Sequence, residues 1–159
     1  MLRIFPQILT IGLSVLPLFG DDLGTTQHLL YVASPGIRNY TEWGGVGVLV
    51  FDIDHGYRLV KRFPTWRYKP GETVENVKGF AASAATGKMY VSNINRVMAM
   101  DILTGKNLWD KAYEGGCDRM ALSPDGKVMY LPQLEGPAWH VVNAETGEII
   151  AKVETKSGS

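Results

Sequence analysis

Apolar residues fall along this chain in short runs, each closed by a turn residue and alternating with polar positions, the spacing of strands and not of helices. Three runs align with one another: HLLYVAS from His28, GKMYVSN from Gly87 and GKVMYLPQ from Gly126. Each is followed by a second run that ends in Asp or Asn, namely VLVFDIDHG, RVMAMDILTG and HVVNAETG. A third follows each of these: YRLVKRFP, KNLWDKAYEG and EIIAKVET. The second and third units also carry a run in front, VKGFAASA and CDRMALS. The pattern predicts eleven short strands joined by turns, with no helix beyond the first segment of the chain.

The turns have local chemistry of their own. In ALSPDGKVMY, Pro124 pre-sets a turn φ, Asp125 can bond its own backbone, and Gly126 accepts positive φ without steric cost. Asp125 is therefore read as a hairpin corner and not as a catalytic acid or metal ligand.

Spacing turns the runs into a repeat. Tyr90 and Tyr130 are 40 residues apart, the length of one four-stranded propeller blade. Tyr31 and Tyr90 are 59 apart; of the 19 extra residues, ten fall between Tyr31 and Asp52 and nine between Asp52 and Tyr90. The first unit is thus the same blade with two insertions. The expected fold is an all-β propeller of four-stranded antiparallel blades. Blade 1 spans about 28–63, with inserted loops at 34–47 and 64–77; blade 2 spans about 78–114 and blade 3 about 117–155. Blade 1 lacks its innermost strand.

The residues that carry a resemblance lie in the second unit. AMDILTGKNLW, from Ala99 to Trp109, resembles the tryptophan-docking motif of quinoprotein (PQQ-type) propeller repeats, A-x-D-x-x-T-G-K-x-x-W, at every defined position. LSPDGKVMYL is similar to the hairpin of YVTN-type and WD-like propeller repeats. The third unit departs, with Asn143 for Asp, Glu148 for Lys and no following Trp; the first has His55 in place of Thr. The resemblance covers about residues 28–155. It implies a blade-docking role for Asp101, Thr104, Gly105 and Trp109, a repeat that in quinoproteins does not by itself hold the quinone.

Three blades do not make a ring, since closed propellers use four to eight. Either the chain is the N-terminal portion of a longer propeller, the simpler history, or two chains associate as a homodimer that closes six blades. The first twenty residues read as a signal peptide, with a buried first strand or an uncleaved anchor as the alternatives: Arg3, an apolar stretch from Ile8 to Leu16, Pro17 as breaker and Gly20 at the cleavage point. Leu18 makes that site imperfect. The segment is short and broken by proline, so no membrane span is expected. The mature chain, 21–159, is expected outside the cytoplasm, periplasmic or secreted.

Composition narrows the chemistry. With 16 basic and 16 acidic side chains the formal net charge is zero, without the basic stripe of a nucleic-acid binder. One cysteine allows neither an intrachain disulfide nor a thiolate zinc cluster. No C-x-x-C-H, G-x-S-x-G, P-loop or dinucleotide fingerprint occurs.

With strands lettered a to d from the axis outward, both insertions fall on the face that bears the b–c and d–a connections. There they bring Arg38, Tyr40, Trp43, Trp66, Arg67 and Tyr68, an aromatic and arginine set suited to recognition. Asp118 and Arg119, with Glu135, Trp139 and His140 from blade 3, are expected on the same face. Trp43 and Trp66 either pin the long loops or meet a ligand. Asp118 and Arg119 are either a ligand clamp or a structural ion pair, and a lone His such as His140 more often has a structural hydrogen bond. Cys117 reads as a small buried filler.

The expected role is a binding or scaffold module for a protein, glycan or small ligand, with no evident cofactor. The alternative is a quinoprotein-like oxidoreductase or metal-dependent hydrolase whose catalytic residues lie in further blades. PQQ or calcium would belong to that alternative, but the sequence has no stretch matching their ligand sets.

Overall fold

The computed structural model describes residues 26–36, 46–66 and 75–155. Among them are eleven strands and no helix, and hence no helix long and apolar enough to cross a membrane. β1 (Leu29–Pro35), β2 (Val46–Asp52) and β3 (Arg58–Phe63) form sheet 1. β4 (Gly79–Ser83), β5 (Lys88–Ser92), β6 (Arg96–Asp101) and β7 (Asn107–Ala112) form sheet 2. β8 (Ala121–Leu122), β9 (Val128–Pro132), β10 (Ala138–Asn143) and β11 (Ile149–Glu154) form sheet 3. All neighbours are antiparallel and follow chain order, as a series of hairpins requires.

Register shows that the sheets are copies of one another. Tyr31 faces Val50, Tyr90 faces Ala99, and Tyr130 faces Val141. In each sheet a bulge follows that partner: between Val50 and Phe51, Ala99 and Met100, and Val141 and Val142. The bulge places one extra residue on the outermost strand and re-aims its end.

The turns close as their side chains dictate. The Asp101 carboxylate accepts the N–H groups of Leu103 (3.1 Å) and Thr104 (2.7 Å) and the Thr104 hydroxyl (2.7 Å). Gly105 then donates to the Asp101 carbonyl at a φ of 70°. The Thr104 hydroxyl bond, first among these contacts, holds the Asp101 carboxyl below its ordinary range. Only acceptor oxygens are needed here, so Asn143 serves equally, taking the N–H groups of Glu145 (2.9 Å) and Thr146 (3.2 Å). In the first unit His55 Nδ1 meets Asp52 at 2.8 Å, where the other units have a threonine. Asp125 is a corner: Ser123 donates its hydroxyl to it at 2.6 Å and Lys127 its N–H at 3.1 Å.

The core is two slabs, one on each side of sheet 2. Side chains alternate across a strand, so Met89, Val91, Met98 and Met100 face sheet 1, where they meet Val48, Val50 and Phe63. Tyr90, Val97 and Ala99 face the other way and pack on Met129, Leu131 and Val142 of sheet 3. This double coverage is why β5 and β6 read as nearly continuous apolar runs while β3 and β11 do not.

Candidate functional site

At one end of the sheets the turns build the junctions between them. The Tyr31 hydroxyl donates to the carbonyl of Ile102 (3.1 Å), the residue after the turn Asp of sheet 2. The Tyr90 hydroxyl donates to Ala144 (3.1 Å), the residue after the turn Asn of sheet 3. Phe63 lies so closely over Gly105 that a Cβ there would come within 2.1 Å of its ring. Trp109 covers Gly147 in the same manner, 3.0 Å from where a Cβ would stand, and donates its indole N–H to Ala144 (3.3 Å). Sheets 1 and 2 thus each press an aromatic ring and a tyrosine hydroxyl onto the glycine turn of the next.

The opposite end carries the longer connections. Val77 donates to the Pro35 carbonyl (3.2 Å) and Lys78 to that of Ser92 (2.8 Å), so the β3–β4 connection re-enters between β1 and β5. Glu75, near the end of that connection, accepts Asn93 Nδ2 (2.5 Å) and both Nε (3.1 Å) and Nη2 (2.6 Å) of Arg96. The Arg96 guanidinium also lies over the Trp66 ring at 5.5 Å, and the Trp66 indole donates to Asp110 (3.2 Å). The bracket clamps both ends of the connection, Trp66 and Glu75, to sheet 2. Next to it, Leu134 donates to the Gly115 carbonyl (3.0 Å) and Cys117 to that of Ile94 (3.0 Å).

The expected site residues distribute unevenly on this frame. Arg38, Tyr40, Trp43, Arg67 and Tyr68 lie outside the described residues. Trp66 is buried in the slab between sheets 1 and 2 and donates its indole N–H to Asp110, contacts that pin the start of the insertion to sheet 2. His140 is buried too. It is buried because its register position, opposite Leu131, is the one Met98 holds opposite Val91, a position that faces the preceding sheet. Its Nε2 donates to the Glu114 carbonyl (2.9 Å).

Trp139 is also a strand residue and not a loop residue, standing on the outer face of sheet 3. Glu135 is exposed in the β9–β10 turn. Asp118 and Arg119 share the β7–β8 connection, but their closest approach is 3.8 Å and the Arg119 side chain is 86% exposed, so the pair is loose. The four-residue bracket of Glu75, Asn93, Arg96 and Asp110 was not expected. Its only sequence signal is an acid closing the insertion and an arginine opening β6, the third strand after it.

Cys117 is fully buried, and burial pushes its thiol up to about 12. A thiol held there carries no thiolate at neutral pH. Ellman's reagent should label the native chain at least about a hundredfold more slowly than the urea-unfolded chain. Rapid stoichiometric labelling of native protein would show instead that this connection opens. Among the described residues no three His, Cys, Asp or Glu side chains converge as a metal site would require.

No protein-family model and no curated protein sequence matches the chain. Solved structures do. Hydrazine synthase of Kuenenia stuttgartiensis is similar over 70% of this chain and 30% of its own, with a TM-score of 0.57 and 17% identity. Sqt1 of Saccharomyces cerevisiae is similar over 79% of this chain and 35% of its own, with a TM-score of 0.59 and 12% identity. The chain therefore spans about a third of the length of either structure. At such identities the likeness speaks for the fold alone: this is an all-β chain of open, antiparallel, propeller-like sheets.

Proposed function

We propose that the chain is a binding and scaffold module, a β-propeller of the YVTN/PQQ-like repeat class that works outside the cytoplasm and presents one loop face to a protein, glycan or small ligand. The bracket around Glu75 and Arg96 carries the proposal. Such a clamp fixes the two ends of the 67–74 segment against rigid strands, the arrangement by which scaffolds hold recognition loops. Arg119, largely unpaired with its neighbour, extends the same face with a cation. Membership of the repeat class rests on the Ala99–Trp109 motif, and export on the first twenty residues.

The test is a glycan array, together with a small-molecule library screened by shifts in melting temperature. For any ligand found, the double substitution Arg38→Ala and Arg67→Ala should weaken binding at least about tenfold, roughly 1.4 kcal/mol. The melting temperature of the free protein should stay unchanged. Unfolding of the double variant would make the loops structural, and undiminished binding would move the site elsewhere. An alkaline-phosphatase fusion that is inactive would remove the extracytoplasmic part of the reading.

A further inference from the structure

The two junctions between sheets share one plan, and where they differ the first holds a crevice. Register aligns Tyr31 with Tyr90, Lys61 with Trp109 and Phe63 with Lys111. The ring and the lysine have thus exchanged positions between β7 and β3. Phe63 covers Gly105 from the place that Lys111 holds, and the place of the indole is left to a lysine stem. A cavity of about 320 Å³ lies there, walled by Leu29, Tyr31, Val50, Val60, Lys61 and Phe63. Pockets that hold small organic ligands measure about 300–1,000 Å³. Leu29, Tyr31, Val50 and Phe63 belong to the slab between sheets 1 and 2, so the cavity sits inside a formed junction.

Rim and charge differ as well. In the second junction Lys88 meets Glu145 at 2.5 Å and Lys111 meets Glu148, so each of these lysines has a carboxylate. The positions equivalent to Lys88 and Glu145 are Leu29 and Leu103, which make the rim of the crevice apolar. The position equivalent to Glu148 is Lys106. Lys61 has no carboxylate partner among the described residues. Its ammonium donates to the Leu103 carbonyl (3.0 Å) and lies 5.2 Å from the centre of the Phe63 ring. The turn acids of the two sheets are engaged, Asp52 by Gln27 (3.2 Å) and His55 (2.8 Å), and Asp101 by Thr104 (2.7 Å). The crevice is therefore an apolar slot with an unmatched cation at its edge.

We infer that this crevice binds a small aromatic acid. The ring sits among Leu29, Tyr31 and Phe63, where the next junction has an indole of its own, and the carboxylate meets the Lys61 ammonium. Tyr31 is held by its hydroxyl bond to Ile102 (3.1 Å) and Phe63 by its seat on Gly105, so two walls are in place before the ligand arrives. Aromatic walls favour an aromatic guest, through stacked and edge-to-face contacts. Lys61 gives one ammonium hydrogen to Leu103 and keeps two for a charged acceptor. The site lies at the turn end of the sheets, opposite the loop face, and is independent of the proposal for that face.

The experiment is a ligand-observed NMR titration of the full chain with three probes: indole-3-acetate, indole and acetate. Indole-3-acetate should bind saturably with a Kd of about 1 mM or tighter. Indole and acetate each carry one half of that ligand and should bind at least about tenfold more weakly. Lys61 is exposed, and Lys61→Met removes its charge while keeping the stem. That variant should weaken indole-3-acetate at least about tenfold and leave indole unchanged. Lys61→Trp restores the residue of the second junction, fills the crevice and should abolish binding of both. Should it lose its far-ultraviolet β spectrum, Leu103→Glu replaces it; the new carboxylate at the rim pairs with Lys61 and should weaken the acid by a similar factor. No saturable binding of indole-3-acetate up to about 10 mM overturns the inference. So does equal affinity for indole, or binding that survives the substitutions.

Discussion

Replacing Trp109 by alanine should lower the unfolding free energy by about 3 kcal/mol, the lower end of the range for removing a packed tryptophan, because one edge of the ring reaches solvent. The ring is the piece of sheet 2 that holds sheet 3. It lies 5.9 Å from the Tyr90 ring, tilted by 46°, and rests on Gly147, whose missing side chain makes the close approach possible. Most of the loss comes from that packing. The indole bond to Ala144 contributes less, since the same carbonyl still receives the Tyr90 hydroxyl and is not left bare. Trp109→Phe separates the two terms: it keeps a ring on Gly147, gives up the N–H, and should cost about 1 kcal/mol. Urea titrations followed by far-ultraviolet dichroism read both. A loss below about 1 kcal/mol for the alanine variant would mean that sheet 3 is held without the ring.

What could be read from the sequence was chemistry that stays within a few residues. Asp101, Thr104 and Gly105 close their turn on one another, and Asp125 binds only Ser123 and Lys127, so spacing and residue type were enough. The 40-residue step from Tyr90 to Tyr130 likewise reflects the register, because both tyrosines sit opposite the residue before the bulge.

What could not be read depends on partners far along the chain. The sequence leaves Trp66 open between pinning and recognition, because the acceptor of its indole N–H, Asp110, is 44 residues away. The partner of His140 is a backbone carbonyl 26 residues away, which has no sequence signature. The covering of Gly105 shows the limit most clearly. By register the counterpart of Trp109 in sheet 1 is Lys61, and the ring that covers the glycine is Phe63, two residues on. A motif search anchored on tryptophan passes over it, although the physical requirement of a flat apolar group over a bare Cα is met.

That requirement gives the second large effect, with its own control inside the chain. Gly105 and Gly56 occupy the same turn position in successive repeats and have nearly the same backbone, at φ of 70° and 67°. Alanine at either one adopts the left-handed region, at a cost of about 1 kcal/mol. At Gly56 nothing stands within 4 Å, so the cost should end there. At Gly105 the new methyl would lie 2.1 Å from Phe63 Cδ1 and 2.8 Å from its Cγ, and the ring is buried in the slab between sheets 1 and 2 with little room to move. Displacing it adds about 1–3 kcal/mol of overpacking, for a total near 3 kcal/mol. Equal costs would mean that Phe63 yields freely and the junction between sheets 1 and 2 is soft. A gap of about 2 kcal/mol or more would show that the glycine is kept for what packs on it and not for its turn.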